Sequence, residues 1–321
     1  MSYGGGGSSS GRILDEILLS TTAQQEFTLN LPEIDALLAA AYKVRTRRRV
    51  LELLGLGPCT GKTALLYLLV GLATLPASLG GKGACAVLLD CSGRFDVVRL
   101  HNVVFEFAKL RHAGDAELEQ VVGEALEHVH VFRPDTAGEF IATVGGLEGY
   151  LLDWKGNGSG GRELAGIFVD GVEGFVWEGL REGPTDGNTE IYTTIIRSLR
   201  SLQKTFLQVP IIATNNGTTR SSPDGEAPIY KTYLPQIWTA FVGIRIILAR
   251  APVRPFPLEM GLQEAWTEQR ERRLEVVRRN RIEGWVDVGG LGGGVESEIG
   301  RLKGGGRFSF SLGGGGVVFE Q

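Results

Sequence analysis

Cysteine is scarce in this sequence: only Cys59, Cys85 and Cys91 occur. An odd, sparse set excludes a disulfide scaffold and points to a reducing compartment. Net positive charge is also missing, because 33 Lys and Arg stand against 37 Asp and Glu, leaving −4. A protein that binds nucleic acid unaided is ordinarily strongly basic, so any DNA contact must come from a local patch or a partner. Long apolar runs are absent as well. The longest, Ala64 to Leu75, falls short of the about 20 residues that a spanning helix needs. The first residues are rich in Gly and Ser and lack the apolar segment of a secretory signal. A soluble, intracellular chain without membrane contact is therefore expected. Histidine is confined to positions 101, 112, 128 and 130, with no companions at metal-ligand spacing.

Glycine is what the sequence has in excess, 47 of 321 residues, in tracts without the Gly-X-Y period of collagen. With 43% hydrophobic and 22% charged residues, the chain can bury a sizeable core. Residues 1–11 read as a flexible tail. Residues 13–42 carry apolar positions at helical spacing (Leu31, Ile34, Leu37, Leu38, Tyr42), the mark of a short helix or docking arm. The first 44 residues are thus set apart from a single domain over 45–321. A basic run, Lys43 to Arg49, joins the two.

From residue 50, apolar strands and helices alternate. Strands are expected at 50–54, 84–90, 130–132, 164–169 and 209–214. Helices are expected at 62–75, 97–110, 117–127, 137–154 and 191–207. After Thr239 the segments 241–249, 273–277, 284–288 and 308–312 read as strands. The pattern predicts an α/β fold: a mostly parallel central sheet with helices on both faces and an antiparallel C-terminal edge. The Gly-rich stretches 155–162 and 289–306 are expected to be disordered loops.

The strongest motif is Gly57-Pro58-Cys59-Thr60-Gly61-Lys62-Thr63, followed by Ala64. It follows an apolar strand and opens an apolar helix, the setting of a phosphate-binding loop. Backbone N–H groups of such a turn surround a triphosphate, and the helix N-terminus adds positive potential. Lys62 would reach the β- and γ-phosphates, and the Thr63 hydroxyl would ligate Mg²⁺. The fit departs from G-x-x-x-x-G-K-T at the first glycine, where Leu56 stands between Gly55 and Gly57. Asp170, at the end of the apolar strand Ala165–Val169, suits the carboxylate that faces the metal ion. Cys59 reads as a small loop residue, since no histidine is near it in sequence.

Three further stretches carry a resemblance. Val87-Leu88-Leu89-Asp90-Cys91-Ser92-Gly93-Arg94-Phe95-Asp96-Val97-Val98-Arg99-Leu100 resembles the RecA-type recombinase segment that reads apolar strand, Asp-Thr-Glu-Gly, Phe, Arg-Leu. Pro210-Ile211-Ile212-Ala213-Thr214-Asn215-Asn216 is similar to their strand ending in Thr-Asn-Gln. Trp238 to Arg250 is similar to a late strand ending in basic residues. The likeness spans 45–321 without an N-terminal helical DNA-binding domain. It is nearest to the short X-ray-repair cross-complementing type-two branch of the eukaryotic recombinase paralogues.

The resemblance implies a RecA-like core that binds ATP and Mg²⁺, in an accessory subunit for homologous recombination and double-strand-break repair. It implies a nuclear protein in a hetero-oligomer with other recombinase paralogues. It implies that Arg99 lies over the adenine and that residues 27–42 dock on a neighbouring subunit, with packing on the chain's own core as the alternative. Loops Glu178–Thr189 and Gly217–Gln236 correspond to loops that touch single-stranded DNA; their cations are Arg181, Arg220 and Lys231. Single-stranded or branched DNA is therefore expected to be met mainly through the complex. The run 43–49 is open to nuclear import, DNA contact or plain solvation. The cluster 270–281 reads as a charged ribbon or helix.

Two departures bear on chemistry. The Glu that activates water in active relatives falls on Ser92, whose hydroxyl is no base at neutral pH. The γ-phosphate-sensing Gln falls on Asn216, one methylene shorter. No residue is assigned a confident catalytic role, and weak hydrolysis at most is expected. Asp90 or Asp96 could stand in, although Asp96 suits a helix N-cap. The rival readings are a DNA-stimulated ATPase that remodels recombinase filaments, and a phosphate-loop protein outside recombination, such as a small-molecule kinase.

Overall fold

The structure, a computed structural model, describes residues 27–44, 48–111, 114–153, 156–182, 187–220, 229–252, 261, 263, 266, 270–287 and 293–320. The expected tail 1–11, Arg45, Arg47, His112, Trp154 and residues 289–292 lie outside them. The elements in chain order are α1 (Pro32–Val44), β1 (Val50–Leu56), α2 (Lys62–Thr74), β2 (Cys85–Asp90), α3 (Val97–Lys109), α4 (Asp115–Leu126) and β3 (Val129–Phe132). Then follow α5 (Ala137–Leu152), β4 (Leu164–Asp170), α6 (Val176–Glu182), α7 (Gly187–Thr205), β5 (Ile211–Arg220), β6 (Ile229–Thr232), α8 (Gln236–Phe241) and β7 (Ile244–Arg250). The chain ends with α9 (Arg270–Arg279), β8 (Arg281–Val286), α10 (Gly293–Gly300), β9 (Arg307–Gly313) and β10 (Gly316–Phe319).

One ten-stranded sheet runs β10-β9-β8-β7-β1-β5-β4-β2-β3, with β6 paired to β5. From β7 to β3 every pairing is parallel; β8, β9 and β10 add antiparallel at the β7 edge. This is the expected α/β architecture. The strands are apolar on both faces because both are covered. Alternation divides their side chains: Leu51, Leu53, Leu88, Phe168 and Ile212 join one core, Val50, Val87, Ile167, Val169 and Ile211 the other. The first core packs against α1 to α4, and the second against α5, α7 and α8. Residues 64–74 of α2 are all buried, so this helix is apolar all round. Helix α3 instead buries one stripe, Leu100, Val103, Val104, Phe107 and Ala108.

The apolar stripe of α1 is turned onto the chain's own core: Ile34 and Leu38 are fully buried in the same core as Leu65 and Ile299. Asp35 accepts the Leu29 and Leu31 amides at 2.6 and 3.0 Å and fixes the entry to this helix. Among the described residues no helix is long and apolar enough to cross a membrane.

Two expectations need correction. Residues 273–277, read as a strand, lie inside α9. Long straight side chains favour helix, and Glu275 and Arg279 pair at 2.6 Å one turn apart. The strand expected at 241–249 begins only at Ile244, because Gln236–Phe241 is helical. In the Gly-rich stretch 155–162, residues 156–162 form a turn whose Ser159 is buried. Its hydroxyl lies 2.9 Å from both His128 Nδ1 and His130 Nε2. In 289–306, residues 293–300 form α10 and 303–306 a 3₁₀ turn. Gly306 has φ +74°, and a Cβ there would collide with Ile299 of α10. Glycine serves close packing at that position.

Candidate functional site

The loop between β1 and α2 adopts the backbone of an anion cradle. Gly57, Cys59 and Gly61 have φ of +96°, +54° and +78°. The loop runs into α2, whose first residue is Lys62. Gly57, Pro58 and Cys59 are exposed, whereas Thr60 is buried and its hydroxyl lacks a hydrogen-bond partner among the described residues. The displaced glycine also finds its reason. A Cβ on Gly55 would lie 2.6 Å from Lys62 Nζ and would overlap the Thr60 hydroxyl. The space that Lys62 needs is thus opened one residue earlier than the common motif has it, and Leu56 is tolerated as the last strand residue.

Parallel pairing of β1 with β5 sets Asn216 opposite Gly55. Lys62 Nζ donates to Asn216 Oδ1 at 2.8 Å. Burial pulls the Lys62 ammonium below its ordinary pKa, while Glu173 and Asp170 favour its charge. On the far side of β5, β4 brings up Asp170. The Thr63 hydroxyl donates to Asp170 Oδ1 at 3.3 Å, and the Thr214 hydroxyl donates to the same oxygen at 2.6 Å. Thr214 in turn accepts the Gly171 amide at 2.8 Å. Burial raises the Asp170 pKa, and these two hydroxyl donors oppose the shift. Lys62, Thr63, Asp170 and Asn216 therefore meet at the C-terminal ends of parallel strands, the place where open α/β sheets bind ligands. The positive-φ loop, an unpartnered Thr60 hydroxyl, a lysine and a hydroxyl–carboxylate pair fit a magnesium–triphosphate group. Loop amides and Lys62 would hold its phosphates, and Thr63 and Asp170 its metal ion. What the ion supplies when bound is charge neutralisation between phosphates.

Ser92 is engaged within its own turn, where its oxygen accepts the Arg94 amide at 3.3 Å. Its hydroxyl donates to Asp90 Oδ1 at 2.8 Å. Asp90 is occupied too: it accepts the Ser92 and Phe95 amides, and the Arg133 guanidinium lies 3.6 Å away. Asp96 caps α3, accepting the Val98 and Arg99 amides at 2.9 and 3.2 Å. Arg99 is exposed on the first turn of α3, 5.8 Å from the Tyr67 ring of α2.

Glu173 is the residue that motif reading passes over. It sits in the 3₁₀ turn Val172–Phe175 that follows Asp170. Asn216 Nδ2 donates to its Oε1, while Oε2 is buried and has no hydrogen-bond partner among the described residues. Burial raises the Glu173 pKa. The only sequence signal was an acid one short turn beyond Asp170.

The expected DNA cations are less informative. Lys231 is exposed on β6, opposite Thr218 of β5, so the loop 217–236 is rooted in a β-ribbon. Arg181 lies on α6 and Arg220 ends β5, but their side chains lie outside the described residues. Of the basic run, Arg48 donates to the Ala240 carbonyl and Arg49 to that of Gln208. These two serve the fold.

No family model matches the chain. A stretch of 168 residues, 51% of this chain, is 27% identical to human DNA repair protein RAD51 homolog 2. The match covers 40% of that relative, so the shared part is less than half of it. Over half its length this chain is thus similar to a DNA repair protein, and its α/β fold is consistent with a RecA-like core.

Proposed function

We propose that this chain is an ATP-binding accessory subunit of a recombinase-paralogue complex, acting in homologous recombination and double-strand-break repair. The carrying observation is the convergence of Lys62, Thr63 and Asp170 around a positive-φ loop, in a chain similar to a DNA repair protein. ATP acts first as a structural ligand. Binding to the folded state alone stabilises that state by mass action, by about 2.7 kcal/mol at a hundredfold excess over Kd. On its motifs we place the chain with the short X-ray-repair cross-complementing type-two branch, and a nuclear location follows from the proposed role. DNA is met mainly within the complex, with Arg181, Arg220 and Lys231 as this chain's own candidate contacts.

Affinity purification of the tagged chain from its own cells, with mass spectrometry, tests the role. Other RecA-type paralogues should co-purify in stoichiometric amounts; a lone monomer would overturn the accessory reading. ATP with Mg²⁺ should raise the melting temperature of the purified chain and should fail to do so for Lys62→Ala.

A further inference from the structure

We propose that Glu173 is the proton acceptor for hydrolysis of a nucleoside triphosphate by this chain, in place of the carboxylate that Ser92 lacks. The inference deepens the proposed function and rests on its triphosphate site.

Four observations carry it. First, Glu173 follows Asp170 by one 3₁₀ turn, so the end of β4 aims it at the same strand ends as Lys62 and Thr63. Second, a single amide joins it to the phosphate loop: Lys62 Nζ donates to Asn216 Oδ1, and Asn216 Nδ2 donates to Glu173 Oε1. Third, that arrangement uses one carboxylate oxygen only. Oε2 is buried without a partner among the described residues, an unused acceptor. A buried acceptor left unpaired is costly, so its retention beside a candidate reaction centre calls for a ligand. Fourth, the competing acids are committed elsewhere. Asp90 ties the 92–95 turn, Asp96 caps α3 and Asp170 holds Thr63 and Thr214. Glu178 accepts the Ala137 amide at the start of α5. Burial also raises the Glu173 pKa, which makes its carboxylate a better proton acceptor.

The step balances as follows. The oxygen of a water molecule bonds to the γ-phosphorus. The bond from that phosphorus to the β,γ-bridging oxygen breaks, and its electron pair leaves on the nucleoside diphosphate. The proton lost by the water goes to Glu173 Oε2 and then to solvent. Nothing is oxidised or reduced.

The test uses the full chain, with ATP and Mg²⁺, and reads two quantities separately. Equilibrium dialysis measures ATP affinity, and single-turnover release of phosphate measures hydrolysis, with and without a single-stranded oligonucleotide. Glu173→Gln keeps an oxygen for Asn216 Nδ2 but cannot take the proton. Its ATP affinity should stay near that of the wild type, while phosphate release falls about 10²–10⁴-fold. Glu173→Asp should recover part of the rate and guards against a folding defect in the first variant. Unchanged release by Glu173→Gln overturns the inference. So does a wild-type chain that binds ATP and releases no phosphate under either condition, an outcome that leaves the ATP-binding reading standing. A wild-type chain that binds no ATP overturns both.

Discussion

Arg245→Met should be among the most destabilising single substitutions in this chain. Glu52 lies in the middle of β1 with no solvent exposure, a carboxylate in the centre of the sheet. It accepts from Asn215 Nδ2 at 2.9 Å and Trp238 Nε1 at 3.0 Å, and pairs with the Arg245 guanidinium, its register partner on β7. Arg245 also reaches Asp287 and Thr239, each at 3.3 Å. Burial opposes its charge, but Glu52 and Asp287 outweigh burial and hold its pKa above the ordinary value. Removing the arginine leaves an uncompensated carboxylate in the core, which costs about 3–5 kcal/mol. A typical domain has about 5–15 kcal/mol in total, so much of the stability would be lost. With an m-value of about 2–3 kcal/mol/M, the urea midpoint should fall by about 1–2.5 M. Trp238, which touches Glu52 directly, is a fluorescent reporter at the site. Replacing both partners by apolar residues should not restore stability fully, because Trp238 Nε1 would lose its acceptor at about 1–3 kcal/mol. A loss below about 1 kcal/mol for Arg245→Met would show a pair behaving as a solvated surface bridge, and would refute the reasoning.

Other outcomes follow from the same structure. Gly55→Ala should clash with the buried Thr60 hydroxyl, displace the Lys62 side chain, break its bond to Asn216 and abolish the ATP-dependent thermal shift; an unaltered shift in calorimetry would refute it. Asp96→Ala should lower stability by about 1 kcal/mol through loss of the α3 cap, measured by urea unfolding. Burial holds the His128 and His130 pKa values below the ordinary 6.5, with Arg162 and His128 respectively adding to the effect. The unfolded chain then binds more protons below pH 6.5, so this contribution is complete above that pH and fades as pH falls towards the lower folded values. Thermal unfolding of the wild type against a His128→Gln, His130→Gln double variant should show the pH dependence shrink in the variant; identical profiles would sink the assignment.

Local chemistry made much of the scaffold legible. Apolar residues at 85–89, and at 50–54 around Glu52, announced strands buried on both faces, and the Gly-Lys-Thr at 61–63 announced the turn between strand and helix. Asp96 could be recognised as a cap because a cap acts within one turn of its own chain. Illegible were features decided by partners far away in sequence. Residues 273–277 read as extended, yet they lie in a helix in which Glu275 and Arg279 pair one turn apart. Strands β6 and β10 are four residues each, too short for a periodic signal, and exist because β5 and β9 offer edges to pair with.

The sequence by itself determined the alternation of elements, the class of sheet and the place of the loop, because these rest on periodicity, glycine conformation and neighbours in the chain. Only the tertiary structure decided that Glu52 meets Arg245 across 193 positions and that Gly55 yields its space to Lys62. It alone decided that Asn216 links that lysine to a carboxylate whose other oxygen has no partner among the described residues. Strand register brings those groups together, and register is a property of the assembled sheet rather than of any one segment.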